Sequence, residues 1–278
     1  YLSKNNILTT NSNPNLSATS ISTYNECPLK YKYIFEYKLP VNRISLTEKE
    51  TENGGSEDSD NKFNRLIFGI CIHKVFENYY CWEESHELFL KKLMLGHGIK
   101  ETDYKKKFEE RGKTVFNNFR RFNLDKSTPV YTEKEFNLWL YGFGNCDIHF
   151  KGFIDRIGKR NDCWEIADYK TGFKGSTINL KDDITQMQIY DLAVNENVFE
   201  DVKNPDLMIY FLEEGKAKKV NRNLEIRDYI LLTAENIIEN RFDVDEELHK
   251  DRDCWNCEFG GITGFCNKSL LKSQPRSA

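Results

Sequence analysis

The order of secondary-structure patterns along this chain is the feature that most restricts its fold. Three short segments rich in β-branched and aromatic residues follow one another closely and are separated by Gly- or Asn-containing turns, which is typical of strands. A helical pattern, one further strand pattern and a last helical pattern come after them. The predicted strands are 134–141, 148–158, 163–171 and 206–212, and the predicted helices among them are 182–195, expected to be amphipathic, and 224–241. This order predicts a mixed α/β core.

The residues before this core are predicted to be mainly helical. Residues 16–38 have the pattern of a capped helix in which Ser17 or Thr19 is the N-cap. Residues 41–62 mix charge, glycine and serine without periodicity, which indicates an exposed loop. Residues 66–122 are again predicted to be mainly helical.

The length of 278 residues suits one domain with a substantial core. Within a single domain, 1–278, we expect a mainly helical part at 16–128, an α/β core with the chemistry at 129–245, and a cysteine-rich segment and tail at 246–278.

Two neighbouring predicted strands carry charged residues that point to metal chemistry. Residues two apart on a strand share a face, so Asp168 and Lys170 point the same way, and hairpin pairing can bring Asp155 beside them. Adjacent carboxylates repel each other, so this arrangement suggests a divalent cation. A lysine beside the cation can orient or help to deprotonate a water and stabilise developing phosphate charge. On spacing alone, a surface hairpin with ordinary charged positions is an equally good interpretation.

Two helical pairs add to this pattern. His73 and Glu77 are four residues apart and share one helical face, beside apolar residues that can hold the helix against a core. A lone histidine in such a place is more often structural. Gln186 and Tyr190 share one face of the helix that follows the strand of Asp168.

Taken together, these motifs resemble a known family. The order G-x-x-x-H-x-x-x-E, G-x-x-D-R, D-x-K-T-G and Q-x-x-x-Y, from Gly69 to Tyr190, is similar to that of the RecB-type branch of the PD-(D/E)XK nucleases. The resemblance implies a restriction-endonuclease-like core, in which helices flank a central mixed sheet. It also implies cleavage of phosphodiester bonds with Mg²⁺ or Mn²⁺.

The resemblance also implies roles for individual residues. The metal ligands would be the side chains of His73, Asp155 and Asp168 and the main-chain carbonyl of Tyr169. Lys170 would act on the attacking water. Gln186 and Tyr190 would position DNA or support the site. Glu77 would either touch metal or brace its helix, and Arg156 would either contact phosphate or form a salt bridge within the core.

Eight cysteines require a separate explanation. Cys254, Cys257 and Cys266 form a compact group of three thiols, which suits a soft metal, and Cys27 is the candidate fourth ligand. RecB-type nucleases of the AddB kind and the related CRISPR-adaptation nucleases resemble this arrangement, which implies a structural [4Fe–4S] cluster that joins the chain ends. Eight residues separate Cys257 from Cys266, more than is usual in this branch, and zinc is the alternative. The other four, expected to be buried core thiols, are Cys71, Cys81, Cys146 and Cys163.

Composition excludes some classes of protein. The 40 basic and 44 acidic residues give a net charge of −4, which excludes a histone-like basic binder. Residues 91–121 carry ten basic and four acidic residues, and can line a DNA path or form an ordinary solvated face. Short apolar runs and the absence of an apolar signal core argue against membrane insertion and secretion, so we expect a cytoplasmic or nucleoid-associated protein.

The expected function is therefore a metal-dependent DNA nuclease. We expect an exonuclease that acts on single-stranded or free-ended DNA in repair, recombination or CRISPR-type adaptation, with a helicase or integrase as a candidate partner. The alternative is a catalytically silent subunit with the same fold that binds DNA or a partner protein. The sequence argues against this alternative because His73, Asp155, Asp168 and Lys170 are all present.

Overall fold

A six-stranded mixed sheet forms the centre of the molecule. The computed structural model describes residues 14–39, 57–127, 129–143, 146–160, 162–171, 180–196 and 198–243, together with residues 257, 259 and 266. The strands are β1 (Asn15–Leu16), β2 (Pro129–Phe143), β3 (Cys146–Arg160), β4 (Cys163–Lys170), β5 (Asp206–Phe211) and β6 (Lys216–Val220). Strands β2 to β6 are neighbours in chain order, and β1 lies beside the first part of β3. All pairs are antiparallel except β1 with β3 and β4 with β5.

Helices cover both faces of this sheet. They are α1 (Ala18–Glu26), α2 (Pro28–Tyr31), α3 (Glu57–Glu77), α4 (His86–Gly96), α5 (Glu101–Asp103), α6 (Glu109–Arg121), α7 (Leu180–Asn195) and α8 (Leu224–Ile238), with π-helical turns at Lys32–Glu36 and Tyr104–Phe108. Ser17 is the N-cap of α1, where its hydroxyl accepts the Ser20 N–H in a capping box, as predicted. The predicted α/β core is confirmed.

The sheet separates two apolar clusters. Side chains of β2, β3, α1, α7 and α8 form the first cluster, which includes Phe150 and Ile154. Side chains of α3, α4 and α6 pack on the other face and form the second, which includes Phe68 and Tyr169. Because α7 connects β4 to the parallel β5, it crosses over the first face. Among the described residues, no helix is long and apolar enough to cross a membrane.

Several sequence-based predictions need correction. Helix α7 is not amphipathic, because buried residues surround it where it packs against the sheet, α1 and α8. The predicted loop at 41–62 is helical from Glu57 onward, and residues 41–56 lie outside the described part of the chain. Strands β1 and β6 were not predicted. Of the four presumed core thiols only Cys71 is buried, Cys146 is partly buried, and Cys81 and Cys163 are exposed.

Candidate functional site

The hairpin of β3 and β4 brings two carboxylates together at the point where the strands separate. Its register pairs Arg156 with Ala167, so the next positions are Asp155 and Asp168. The Tyr169 N–H donates to Asp155 Oδ2 at 2.6 Å, in place of a main-chain bond between the strands. Both carboxylates are buried, at 7% and 2% exposure.

Lys170 lies on the same side of β4 as Asp168, as strand alternation predicts. Its Nζ forms an ion pair with Asp168 Oδ2 at 2.8 Å and lies 3.5 Å from Asp183 Oδ1. It donates a hydrogen bond to Gln186 Oε1 at 2.8 Å. Burial alone would lower the pKa of Lys170, but the carboxylates, above all Asp168, outweigh this effect and raise it. Lys170 therefore stays protonated.

Gln186 and Tyr190 fix the position of that ammonium group. Because Gln186 Oε1 accepts from Lys170, its amide nitrogen faces Tyr190 and donates to the Tyr190 hydroxyl at 2.5 Å. That hydroxyl donates to the Phe153 carbonyl at 2.6 Å, which ties α7 to β3. These two residues thus hold Lys170 in place, while Asp183, which the sequence-based reasoning missed, supplies a further charge beside it.

His73 reaches the site from helix α3. The helix comes close to the end of β4 at Gly69, where a Cβ atom would lie 3.0 Å from Thr171 Oγ1. One turn later, His73 Nε2 donates to the Tyr169 carbonyl at 3.1 Å. Its Nδ1 is 3.1 Å from Glu133 Oε1 and 3.6 Å from Asp155 Oδ1.

Glu133 is a site residue that the sequence analysis missed. The register of β2 and β3 places it opposite Asp155, because Thr132 pairs with Arg156 and Lys134 with Ile154. Its φ is 44°, a left-handed conformation that is uncommon outside glycine. The predicted strand began at residue 134, so Glu133 was left outside it, and no motif marks it.

The charges of this group perturb one another strongly. Burial, together with the neighbouring Asp168 and Glu133 carboxylates, raises the pKa of Asp155 to about 7, although His73 opposes the shift. Burial alone would lower the pKa of His73, but Asp155 and Glu133 outweigh it and raise this pKa to about 9. Three carboxylates held together in this way require positive charge nearby.

The donor set fits a divalent cation. One ligand atom each of His73, Glu133 and Asp155 lie within 4.8 Å of one another, and within the described ranges this is the one such group of three. Carboxylate and carbonyl oxygens suit Mg²⁺ and Mn²⁺, and imidazole suits a transition metal. Of the sequence-based ligands, His73 and Asp155 belong to this group, the Tyr169 carbonyl accepts from His73, and Asp168 follows Asp155 across the hairpin. Glu133 is a further candidate ligand.

An open cleft of about 880 Å³ leads to this group. His73, Glu77, Glu133, Phe153 and Thr171 are among the residues that line it. His73 and Glu133 therefore connect the buried carboxylates to a cleft that is open to solvent.

Arg156, by contrast, is a core residue. Its guanidinium donates to Glu165 Oε1 at 3.0 Å and to the Ser127 carbonyl at 2.6 Å. The side chains of Arg156 and Glu165 are 1% and 5% exposed. Of its two predicted roles, this arrangement supports the salt bridge within the core.

The basic stretch 91–121 is largely neutralised by ion pairs. Lys91 pairs with Glu101 at 2.7 Å, and Arg120 pairs with Glu87 at 3.1 Å. Arg111 pairs with the buried Glu213 at 2.7 Å. These contacts favour an ordinary solvated face over a DNA path.

Contacts of Tyr33 bring the segment around Cys27 close to the segment around Cys266. The side chain of Tyr33 is hydrogen-bonded to that of Cys266, and burial together with Cys266 and Cys27 raises the pKa of Tyr33 to about 12. Phe259 packs on Tyr33 with 5.0 Å between ring centroids, and its carbonyl accepts the Cys266 N–H. Cys254 lies outside the described residues.

Comparison with known proteins identifies a family. The family model of the PD-(D/E)XK nuclease superfamily matches residues 15–262. No curated protein gives a significant match. Among solved structures, the crystal structure of SSO0001 is 16% identical with a TM-score of 0.46, over 97% of this chain and 90% of that chain.

Proposed function

Since this chain belongs to the PD-(D/E)XK nuclease superfamily, we propose that it is a divalent-metal-dependent deoxyribonuclease that degrades single-stranded or free-ended DNA. The observation that carries this proposal is the assembly of Asp155, Asp168, Lys170 and His73 into one charged group, of which His73 lines an open cleft. Three separate elements contribute to it, so a surface hairpin with ordinary charges does not account for it.

Each residue has a task in the proposed reaction. A bound divalent cation stabilises charge on the scissile phosphate and makes a water more acidic. His73, Asp155, Asp168 and the Tyr169 carbonyl would hold the cation, with Glu133 as an additional ligand. Asp168, Asp183 and Gln186 hold the protonated Lys170 beside the carboxylates. Lys170 would donate to the water or to a phosphate oxygen by exchanging its longest contact, the one with Asp183 at 3.5 Å.

Cleavage is expected to require both a metal and a free end. End-labelled linear single-stranded DNA should be degraded with Mg²⁺ or Mn²⁺ and remain intact in EDTA, whereas a circular single strand should resist. The measurement is the release of acid-soluble nucleotides and the product ladder on a denaturing gel. Cleavage of the circular strand would show that the protein is an endonuclease and not an exonuclease. If the DNA stayed intact with both Mg²⁺ and Mn²⁺, the nuclease proposal would be wrong.

Metal binding can be measured separately from cleavage. Mn²⁺ at about 100 times its Kd should stabilise the protein by about 2.7 kcal/mol, a rise of several degrees in Tm. Asp155→Asn should abolish this rise because it removes a central ligand. In the metal-free state the same substitution should raise Tm slightly, since it removes one of the repelling carboxylates.

We also propose a structural metal cluster held by Cys27, Cys254, Cys257 and Cys266. The contacts of Tyr33 with the two chain ends support it. The family resemblance favours an iron–sulfur cluster, and four thiolates would also suit zinc.

The cluster proposal predicts a brown protein after anaerobic purification. Iron and acid-labile sulfide should be present in equal amounts, and Cys27→Ala should lose both. Cys81→Ala, which changes an exposed thiol in the turn after α3, serves as the control. If the protein contained zinc and no iron, the four cysteines would form a zinc site. A folded protein without either metal would contradict both the iron–sulfur and the zinc assignment.

A further inference from the structure

The solvent-facing side of the β2–β3 hairpin carries a row of aromatic rings. Alternate residues of a strand share a face, and Phe136, Leu138 and Phe150 on one face are buried in the first apolar cluster. The other face carries Trp139 and Tyr141. Together with His149 and Phe153, these two residues form what we call the aromatic strip.

The outer rings of the strip are nearly parallel. Trp139 pairs directly with His149 across the two strands, and their rings stack with 4.1 Å between centroids and 4° between planes. Tyr141 stacks on Trp139 with 5.9 Å between centroids and 10° between planes. His149 Nδ1 is 2.7 Å from Asn15 Oδ1, a contact in which Nδ1–H donates and which fixes the imidazole at one end of the row.

The strip leads to the candidate active site. Phe153 lines the same cleft as His73 and Glu133, two residues before Asp155 on β3. Phe153 lies four positions after His149, which corresponds to about 13 Å along the strand. Between them, Lys151 pairs with Glu135 at 2.6 Å on the same face.

Hairpin stability alone does not account for these rings. A cross-strand pair such as Trp139 and His149 stabilises a sheet. Tyr141 and Phe153, however, are 75% and 52% exposed, and large apolar rings left in water cost free energy. Trp139 is itself 43% exposed. His149 is only 7% exposed and supports the Trp139 ring from beneath, so the exposed rings are Tyr141 and Trp139 at one end and Phe153 at the cleft. Exposed rings of this kind on one face are typical of a binding surface.

We propose that the aromatic strip binds unpaired bases of the polynucleotide whose backbone enters the cleft. This inference rests on the proposed nuclease function, because that function is what brings a DNA strand into the cleft. The Tyr141 ring, 75% exposed at the outer end of the stack, can stack on a base of any sequence, whereas in a duplex the base faces are covered by neighbouring base pairs. The ion pair of Lys151 with Glu135 leaves little net charge beside the rings, so stacking on unpaired bases would supply the affinity of this surface for the single-stranded DNA of the proposed function.

The test measures binding in the absence of cleavage. A fluorescein-labelled dT20 oligonucleotide is titrated with the full chain in EDTA, and Kd is obtained from fluorescence anisotropy. Tyr141→Ala and Trp139→Ala should each weaken binding about tenfold. Tyr141→Phe should bind as the wild type does because it keeps the ring.

A matched control is available on the opposite side of the sheet. Tyr229 is 45% exposed on α8, which contributes to the first apolar cluster, and Tyr229→Ala should leave Kd unchanged. An unlabelled 20-base-pair duplex should compete weakly. Circular dichroism checks that each variant is folded, and Tyr141→Ala is decisive if Trp139→Ala does not fold.

The outcomes separate this inference from the proposed function. Weaker binding by Tyr141→Ala in a protein that cuts no DNA would support the strip and remove the nuclease proposal. Unchanged Kd in a protein that does cut DNA would overturn the strip alone. No binding of dT20 by the wild type, or an equal loss with Tyr229→Ala, would also overturn it. Unchanged Kd with altered sedimentation of Tyr141→Ala would assign the strip to protein contact instead.

Discussion

Replacement of Asp168 by asparagine is expected to lower the rate of DNA cleavage by at least about a thousandfold while the protein stays folded. Asp168 is 2% exposed, contributes one of the buried carboxylates and holds Lys170 at 2.8 Å. Asparagine has the same shape but no charge, so it would weaken the metal site and leave Lys170 with one counter-charge fewer. Initial rates on linear single-stranded DNA with saturating Mn²⁺ measure the effect, and thermal unfolding verifies the fold.

Asp206→Asn is the matched control for this substitution. Asp206 lies at the start of β5, the strand beside that of Asp168. It forms an ion pair with Lys219 at 2.7 Å, and its side chain is 47% exposed. Such a surface pair contributes little, so activity and Tm should change only slightly. Undiminished cleavage by Asp168→Asn would mean that the chemistry takes place elsewhere.

Replacement of Arg156 by alanine is expected to destabilise the protein by about 3–5 kcal/mol. Arg156 is buried and bonds to Glu165 and Ser127, so its removal leaves a buried carboxylate with weaker partners. Tyr210 and Arg160 remain near Glu165, at 3.0 and 3.6 Å, and limit the loss. Urea denaturation followed by circular dichroism measures the free energy of unfolding.

A double variant distinguishes the core salt bridge from a phosphate contact. Arg156→Met with Glu165→Leu removes both charges and should be more stable than Arg156→Ala, because no buried charge is left unpaired. If Arg156 instead touched DNA, Arg156→Ala would lose activity at nearly unchanged stability. That result would restore the role in DNA contact that the resemblance left open.

Alternation and periodicity predicted the parts of the site that lie close together in sequence. Asp168 and Lys170 point the same way because a strand repeats every two residues. Gln186 and Tyr190 meet because residues four apart share a helical face. Asp155 could be placed beside Asp168 because a short turn joins two strands, and the register of the hairpin agrees.

The amphipathic pattern predicted for α7 was wrong because this helix packs against several partners. Helix α7 carries polar residues such as Asp183, Gln188 and Asp191 on sides that the fold buries. They are satisfied there: Gln188, for example, bonds to the Asn221 carbonyl and the Asn223 N–H. A pattern of apolar and polar residues cannot show that a polar side chain will find a buried partner from a distant segment.

The sequence by itself determined which chemistry to expect, because the Asp, Lys and His motifs and their local spacing are properties of single strands and helices. Only the tertiary structure decided which groups meet. His73 contacts Glu133 and the Tyr169 carbonyl across 60 and 96 residues of sequence, and these contacts exist because α3 approaches the sheet closely at Gly69. Glu133, which has a left-handed backbone conformation within β2, adds a carboxylate that no sequence motif predicts. Such contacts depend on how a helix packs across a sheet, and local periodicity carries no information about that packing.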